Sequence, residues 1–329
     1  MQDHNKIIKD IKRKEISPFY LLSGLEPFFI DSIASEIVNE LINDDAKDFD
    51  YTILYGKDTT VNQIIEVSKR YPMIAEFHLI IIREAQYLEK KYDELVKYIL
   101  NPQKKSVVVF CYKNKSFDKK SKIYKAATKF GVVFDSKLLY ENQLENWILF
   151  QFKKDKLEVS PKSIQLMIEF LGLDLGKINQ EIKKLKILSI DNIVTADIIE
   201  KNIGISKDYN NFELINAIGI KNKQKCLKII SYLSDNSKNN PIVLTISSLF
   251  QFFKKLLIFH GINGERTKAS KVLGINPFFI KDYETASKHY NMKNCSNIIE
   301  LIYKADLESK GVNRENQENI LIDLINEIF

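Results

Sequence analysis

Cysteine is scarce in this chain and scattered: Cys111, Cys226 and Cys295 are the only three, with no C-x-x-C pair. That argues against a zinc site or a disulfide framework and points to a reducing cytoplasm. Histidine is almost as sparse. His4, His78, His260 and His289 stand in unrelated contexts, without the spacing of a metal site. Neither a G-x-S-x-G elbow nor an H-E-x-x-H pair occurs, and no cysteine carries the local signature of a nucleophile. No metal and no catalytic residue is therefore expected. Behind Met1-Gln2-Asp3-His4-Asn5-Lys6 there is no apolar core, so no signal peptide is predicted. The best candidate for a membrane span, Ile242 to Phe259, is broken by Gln251, Lys254 and Lys255, and no span is predicted. A strong charge of one sign is missing too. The net charge of +6 permits contact with nucleic acid without promising it.

What is present is the composition of a soluble globular protein, 45% hydrophobic and 28% charged, at a length of 329 residues that allows two or three domains. Its most informative segment is near the start. Phe19-Tyr20-Leu21-Leu22 reads as an apolar strand running into Ser23-Gly24-Leu25-Glu26-Pro27-Phe28-Phe29-Ile30-Asp31 and then a helical pattern. A working phosphate loop reads G-x-x-x-x-G-K-[ST], and Gly24 fits its first position. The later positions fall on Phe29, Ile30 and Asp31. Glycine lets backbone approach phosphate, lysine neutralises it and the hydroxyl holds Mg²⁺. Here a ring blocks the approach, the cation is gone and a carboxylate faces the phosphate position. The loop is expected to keep the shape without the chemistry. A second strand, Leu79–Ile82, ends in Arg83 where nucleotide hydrolases place a metal-associated acid, and a cation there repels Mg²⁺. The two defects together suggest a nucleotide-binding fold that does not bind nucleotide.

Strands and helices alternate from residue 1 to about 138: strands at Tyr51–Tyr55, Leu79–Ile82, Ser106–Tyr112 and Val132–Phe134, helices at Phe28–Ile42, Val61–Lys69, Lys90–Leu100 and Lys119–Lys129. Such alternation implies crossover units and a mainly parallel sheet. After Asp135 the β-rich runs end, and four helical stretches form a small block from Glu141 to Asn202. Gly204–Asn211 reads as a linker, and everything from Phe212 onward reads as helix, ending in a stretch at about 315–328. One of these helices, about 241–260, is apolar over most of its circumference and is predicted to be buried.

These segments, in this order, resemble the delta subunit family of the bacterial DNA polymerase III clamp loader. The resemblance rests on Phe19 to Asp31 with its Glu-Pro-Phe turn, and on Arg70-Tyr71-Pro72-Met73-Ile74-Ala75-Glu76 before the second strand. It rests further on Asp174, Leu175, Asn179, Glu181, Lys184, Leu185 and Thr195, on Asn211-Phe212-Glu213-Leu214, and on Ala305 to Gly311. The resemblance implies an α/β AAA+-like domain over 1–138, a small helical lid-like domain over 139–207 and an all-α collar over 208–329 that assembles into a hetero-pentamer. It implies a cytoplasmic subunit that opens the ring-shaped sliding clamp without hydrolysing ATP, so that partner ATPase subunits can load the clamp on primed DNA. No cofactor, no membrane and no catalysis by this chain itself are implied, although the holoenzyme it serves is a nucleotidyltransferase. The Ser-Arg-Cys motif that carries an arginine finger in other clamp-loader subunits is absent.

For Pro72, Met73 and Ile74 the resemblance implies an exposed wedge entering an apolar pocket of the clamp. The competing reading, on residue type alone, is that Met73 and Ile74 pack in the domain's own core. The sequence assigns Tyr71 and Phe77 to neither side. The run Lys113 to Lys122 is the densest basic segment, and Lys113, Lys115, Lys119 and Lys120 are candidate contacts to DNA phosphate, with a solvated loop as the alternative. Phe117 is the only ring within it, too few for a stacking platform. Two other functions remain open on the sequence: an active nucleotide-dependent motor with an atypical loop, and a free-standing DNA-binding protein.

Overall fold

The computed structural model describes residues 3–89, 91–189, 191–203, 206, 208–238, 240–262, 266–312 and 319–329. The chain divides into two compact units, Met1–Leu139 and Tyr140–Phe329.

The first unit opens with helix α1 (His4–Lys12), which the sequence reading did not predict. Its apolar signal is thin: Ile7 and Ile11, one turn apart, are its buried residues, among lysines that face water. The rest alternates: β1 (Phe19–Gly24), α2 (Pro27–Leu41), α3 (Lys47–Asp50), β2 (Tyr51–Tyr55), α4 (Val61–Ser68) and β3 (His78–Arg83). Then come α5 (Asp93–Leu100), β4 (Ser106–Lys113), α6 (Lys122–Phe130) and β5 (Val132–Ser136). Helix α5 stops one residue short of the Asn101-Pro102 step, because a residue before proline avoids helical backbone. Helix α6 starts later than expected because the Ser121 hydroxyl caps it by accepting from Tyr124 N. The start expected at Lys90 falls on a residue outside the described ones.

All strand pairs are parallel, in the order β2-β3-β4-β1-β5. The apolar runs are continuous because both faces are covered. Phe19, Leu21, Ile80, Ile82, Val108 and Phe110 face one core, with α4, α5 and α6 over them. The alternate residues Tyr20, Leu22, Leu79, Ile81, Val107 and Val109 face the other, under α1 and α2. A parallel sheet has two chemically distinct ends. One gathers the last residues of the strands, including Gly24, Arg83 and Lys113; the other gathers the first, including Tyr51, His78 and Ser106.

The second unit is mostly helical: α7 (Glu141–Lys154), α8 (Pro161–Leu171), α9 (Leu175–Leu188), α10 (Ala196–Ile203), α11 (Asn211–Gly219), α12 (Lys223–Asp235) and α13 (Ile242–Gly261). It continues with α14 (Arg266–Leu273), α15 (Ile280–His289), α16 (Met292–Ser309) and α17 (Ile320–Ile328). Two short strands, β6 (Glu158–Val159) and β7 (Ile193–Val194), pair in parallel where only helices were expected. At two residues each they are too short to show a period-2 pattern. Within this unit the Glu169 carboxylate on α8 accepts from the backbone N–H of Asn211 and Phe212 at 2.6 and 3.2 Å. Glu213 on α11 pairs with Lys162 and Lys225. The linker reading of Gly204–Asn211 falls partly on residues 204, 205 and 207, which lie outside the described ones, as do 315–318 of the last expected helix. Among the described residues α13 alone is long and apolar enough to cross a membrane. It is a core helix of this unit: Ile246, Leu249, Phe252, Phe253, Leu256 and Phe259 are buried in the main cluster.

Candidate functional sites at the two ends of the sheet

At the strand-exit end, the turn after β1 is shorter than a phosphate loop. Only Leu25 and Glu26 separate Gly24 from α2, because Pro27 sits at the first helical position, where its missing N–H and fixed φ favour a helix start. The expectation that the loop keeps its shape fails here: Phe28, Phe29 and Ile30 are already helical. Gly24 has φ +135°, and a Cβ there would lie 2.0 Å from the Ser136 carbonyl oxygen. The glycine is therefore required by the close approach of β5, whatever the turn binds.

The amides that would greet a phosphate are occupied. Gly24 N donates to Lys115 O at 3.0 Å and Leu25 N to Ser136 O at 2.8 Å. Phe28 N donates to the Glu26 carboxylate at 3.1 Å. Glu26 thus caps α2 with its own negative charge, at the place where a helix otherwise attracts an anion. The sequence reading gave that part to Asp31. The structure instead pairs Asp31 with Lys113 at 2.6 Å. In sequence, the signal for the Glu26 cap is a carboxylate directly ahead of Pro27. Ile30 is buried in the core, and Phe29 packs against it with His4 5.0 Å from its ring.

Arg83 is exposed at the end of β3, and its carbonyl accepts from Gly56 N at 2.8 Å. With Asp31, Tyr51 and Cys111 it lines a shallow cleft of about 180 Å³ beside α2, below the roughly 300 Å³ at which ligand pockets begin. Burial, with Asp31 nearby, pushes the Cys111 thiol up to about 12, so it offers no thiolate at neutral pH.

The lysines proposed for DNA separate into two pairs. Lys113 is held by Asp31, and Lys119 reaches the buried Asp135 at 3.5 Å. Lys115 and Lys120 are exposed. Phe117 is buried against Tyr112 and Tyr92, so it cannot stack on a base.

The strand-entry end is organised the opposite way. The segment between α4 and β3 carries Met73 and Ile74, which are 75% and 51% exposed, with Tyr71 exposed beside them and Pro72 half-buried. Neither Met73 nor Ile74 belongs to the core. Ala75 and Phe77 turn inward against it, and Lys105 Nζ lies 5.1 Å from the Phe77 ring.

Three consecutive amides of this segment share one partner, Asp50. Asp50, the last residue of α3, is fully buried. Its Oδ1 accepts from Met73 N, and its Oδ2 accepts from Ile74 N and Ala75 N, each at 2.6 Å. Burial opposes the charge, but the three amide donations and the nearby His78 outweigh it and hold the Asp50 carboxyl below its ordinary range. His78, buried at the start of β3 with Nε2 3.2 Å from Thr52 Oγ1, is shifted down by burial against the pull of Asp50. In sequence Asp50 is one of several acids in Asp44 to Asp50, and nothing local marks it as the buried one.

The first unit is thus a parallel-sheet α/β domain in which amides of the turn after β1 are taken by its own chain, and the second is a mostly helical unit. The "DNA polymerase III, delta subunit" family model matches residues 20–137, and the "DNA polymerase III delta subunit, C-terminal domain" model matches residues 208–325. The chain belongs to the DNA polymerase III delta subunit family. It is 24% identical to DNA polymerase III subunit delta of Bacillus subtilis over 327 residues, covering 96% of this chain and 94% of the relative. It is 21% identical to the probable DNA polymerase III subunit delta of Aquifex aeolicus, covering 88% and 85%. Among solved structures it shares the fold of the Bacillus subtilis DNA clamp loader delta protein, with a TM-score of 0.56, 22% identity and 99% of each chain covered.

Proposed function

We propose that this chain is the clamp-opening subunit of its clamp loader, acting through Pro72, Met73 and Ile74 and without nucleotide chemistry of its own. The observation that carries this reading is a pair of large apolar side chains held in water by a loop whose backbone is tied down. Transfer of two such side chains into an apolar pocket is worth roughly 1.5–3 kcal/mol each, enough to anchor an interface with few hot spots. Methionine adapts to the shape of its pocket. The turn at Gly24, Phe29, Ile30 and Asp31, with Arg83, binds no nucleotide in this reading, and partner subunits supply hydrolysis.

The reading also divides the second unit near residue 207 into a small lid-like block and a collar that joins the other subunits. Primed DNA is a partner of the assembled complex in the cytoplasm, with Lys115 and Lys120 the lysines free to approach phosphate. The test is binding of the purified chain to the sliding clamp, with wild type beside a Met73→Asp/Ile74→Asp variant. The variant keeps its thermal unfolding temperature and loses roughly a hundredfold or more in affinity, the equivalent of about 3 kcal/mol of lost burial. Unchanged affinity in the variant would move the site elsewhere. A wild type that binds ATP at millimolar concentration would restore the motor reading.

A further inference from the structure

We infer that Asp50 is a positioning residue for the apolar tip: its carboxylate gathers three consecutive amides and sets Met73 and Ile74 in their outward arrangement before any partner arrives. The inference rests on the proposed role of that tip and adds a residue that never touches the partner.

The geometry is that of an anion nest turned inward. Successive N–H groups that converge on one point usually bind a free anion or water. Here the anion belongs to the fold. Asp50 is fully buried, and both its oxygens are used, one for Met73 N and one shared by Ile74 N and Ala75 N. Hydrogen bonds to an ionised acceptor are about twice as strong as neutral ones, and three of them act on adjacent residues. Their effect on the side chains is geometric. With the amides of residues 73–75 turned in toward Asp50, the side chains of Met73 and Ile74 are the parts left in solvent. The segment is held at both ends as well: Arg70 N bonds back to Val67 O, and His78 N to Lys105 O. Exposed apolar side chains on a free loop would fold back or sample many states, and docking would then carry the cost of ordering them. Asp50 meets that cost during folding. A surface that looks like an ordinary loop is in this way preorganised.

The test follows amide hydrogen exchange residue by residue in the full chain, together with clamp affinity. In wild type, Met73, Ile74 and Ala75 exchange at least roughly a hundredfold more slowly than an unstructured peptide, despite their place on an exposed loop. Asp50→Asn replaces one acceptor by a donor. It speeds those three amides at least about tenfold more than Leu79 to Ile82, which report global unfolding, and weakens clamp binding roughly 10- to 100-fold through lost preorganisation. Asp50→Glu, which keeps the charge but shifts the oxygens by a methylene, falls between the two.

Unprotected amides in wild type would overturn the inference, and that measurement needs no variant to fold. Equal acceleration of loop and strand would reduce Asp50 to a structural residue and overturn it as well. So would full clamp affinity in a variant whose loop amides are freed. If wild type does not bind the clamp at all, the proposed function fails, while the exchange data still decide whether Asp50 orders the tip.

Discussion

The two ends of the parallel sheet solve the same backbone problem in opposite ways. Each has a connection whose N–H groups need partners away from water, and each satisfies them within the chain. At the strand-exit end the partners are Lys115 O, Ser136 O and the Glu26 carboxylate, and the side chains of the following turn, Phe29 and Ile30, go inward. The amides and the side chains of Phe29 and Ile30 are consumed there, and Leu25 is the residue of the turn left exposed. At the strand-entry end the Asp50 carboxylate takes three amides, and the side chains of Met73 and Ile74 go outward. There the backbone is consumed so that side chains stay available. A loop's binding capacity is thus decided by which half of each residue the fold has already used.

The largest effect that tests this contrast belongs to Gly24. Gly24→Ala places a methyl against the Ser136 carbonyl at a backbone angle that side chains rarely adopt, and we expect a loss of about 3 kcal/mol in urea unfolding. A loss under about 1 kcal/mol would mean that β5 does not fix the turn. Next is Glu26→Ala, which removes the cap of α2 and costs about 1 kcal/mol. The unfolding temperature of this variant stays unmoved by millimolar Mg·ATP, since the Gly24 and Leu25 amides remain occupied; a nucleotide-dependent rise would break the contrast.

The smallest effect is a pH dependence at the opposite end. Burial lowers the proton affinity of His78 in the fold, against the pull of Asp50 and with Arg70 adding repulsion, whereas the unfolded ring takes a proton at about 6.5. Stability therefore falls as pH drops below about 6.5, and stops falling from this group once pH is below its lowered folded value. Asp50 acts in a lower window: its contribution is present above about 4 and is lost as pH falls through its depressed folded value. His78→Gln should flatten the first slope and keep the larger part of the second, which rests on three amide donations, measured as urea midpoints from pH 7 down to about 2. An unchanged first slope would assign it to another group.

The sheet was legible because its strands are unbroken apolar runs separated by capped helices, and the arithmetic of crossovers forced the pairing to be parallel. Helix α1 was not, because its two buried isoleucines, Ile7 and Ile11, make too narrow a stripe in a lysine-rich segment. The strands β6 and β7 are too short to have a pattern. At the sites, sequence could name Met73 and Ile74 but could not choose between core and solvent, since apolar residues before a buried strand serve either end. Asp50 decides that choice, and its burial depends on contact with a segment more than twenty residues away. The turn at Gly24 is shorter than its spacing implies, because Pro27 starts the next helix inside the motif.

Gly24 also bears on how such chains are diagnosed. Because its missing side chain makes room for β5, selection for folding alone would preserve a glycine at the head of this turn, with or without a ligand. Its presence is no vestige that time would erase, and it carries no information about nucleotide. The informative marks are the partners of the amides that follow it, and those are written at positions 26, 115 and 136, in three separate stretches of the sequence.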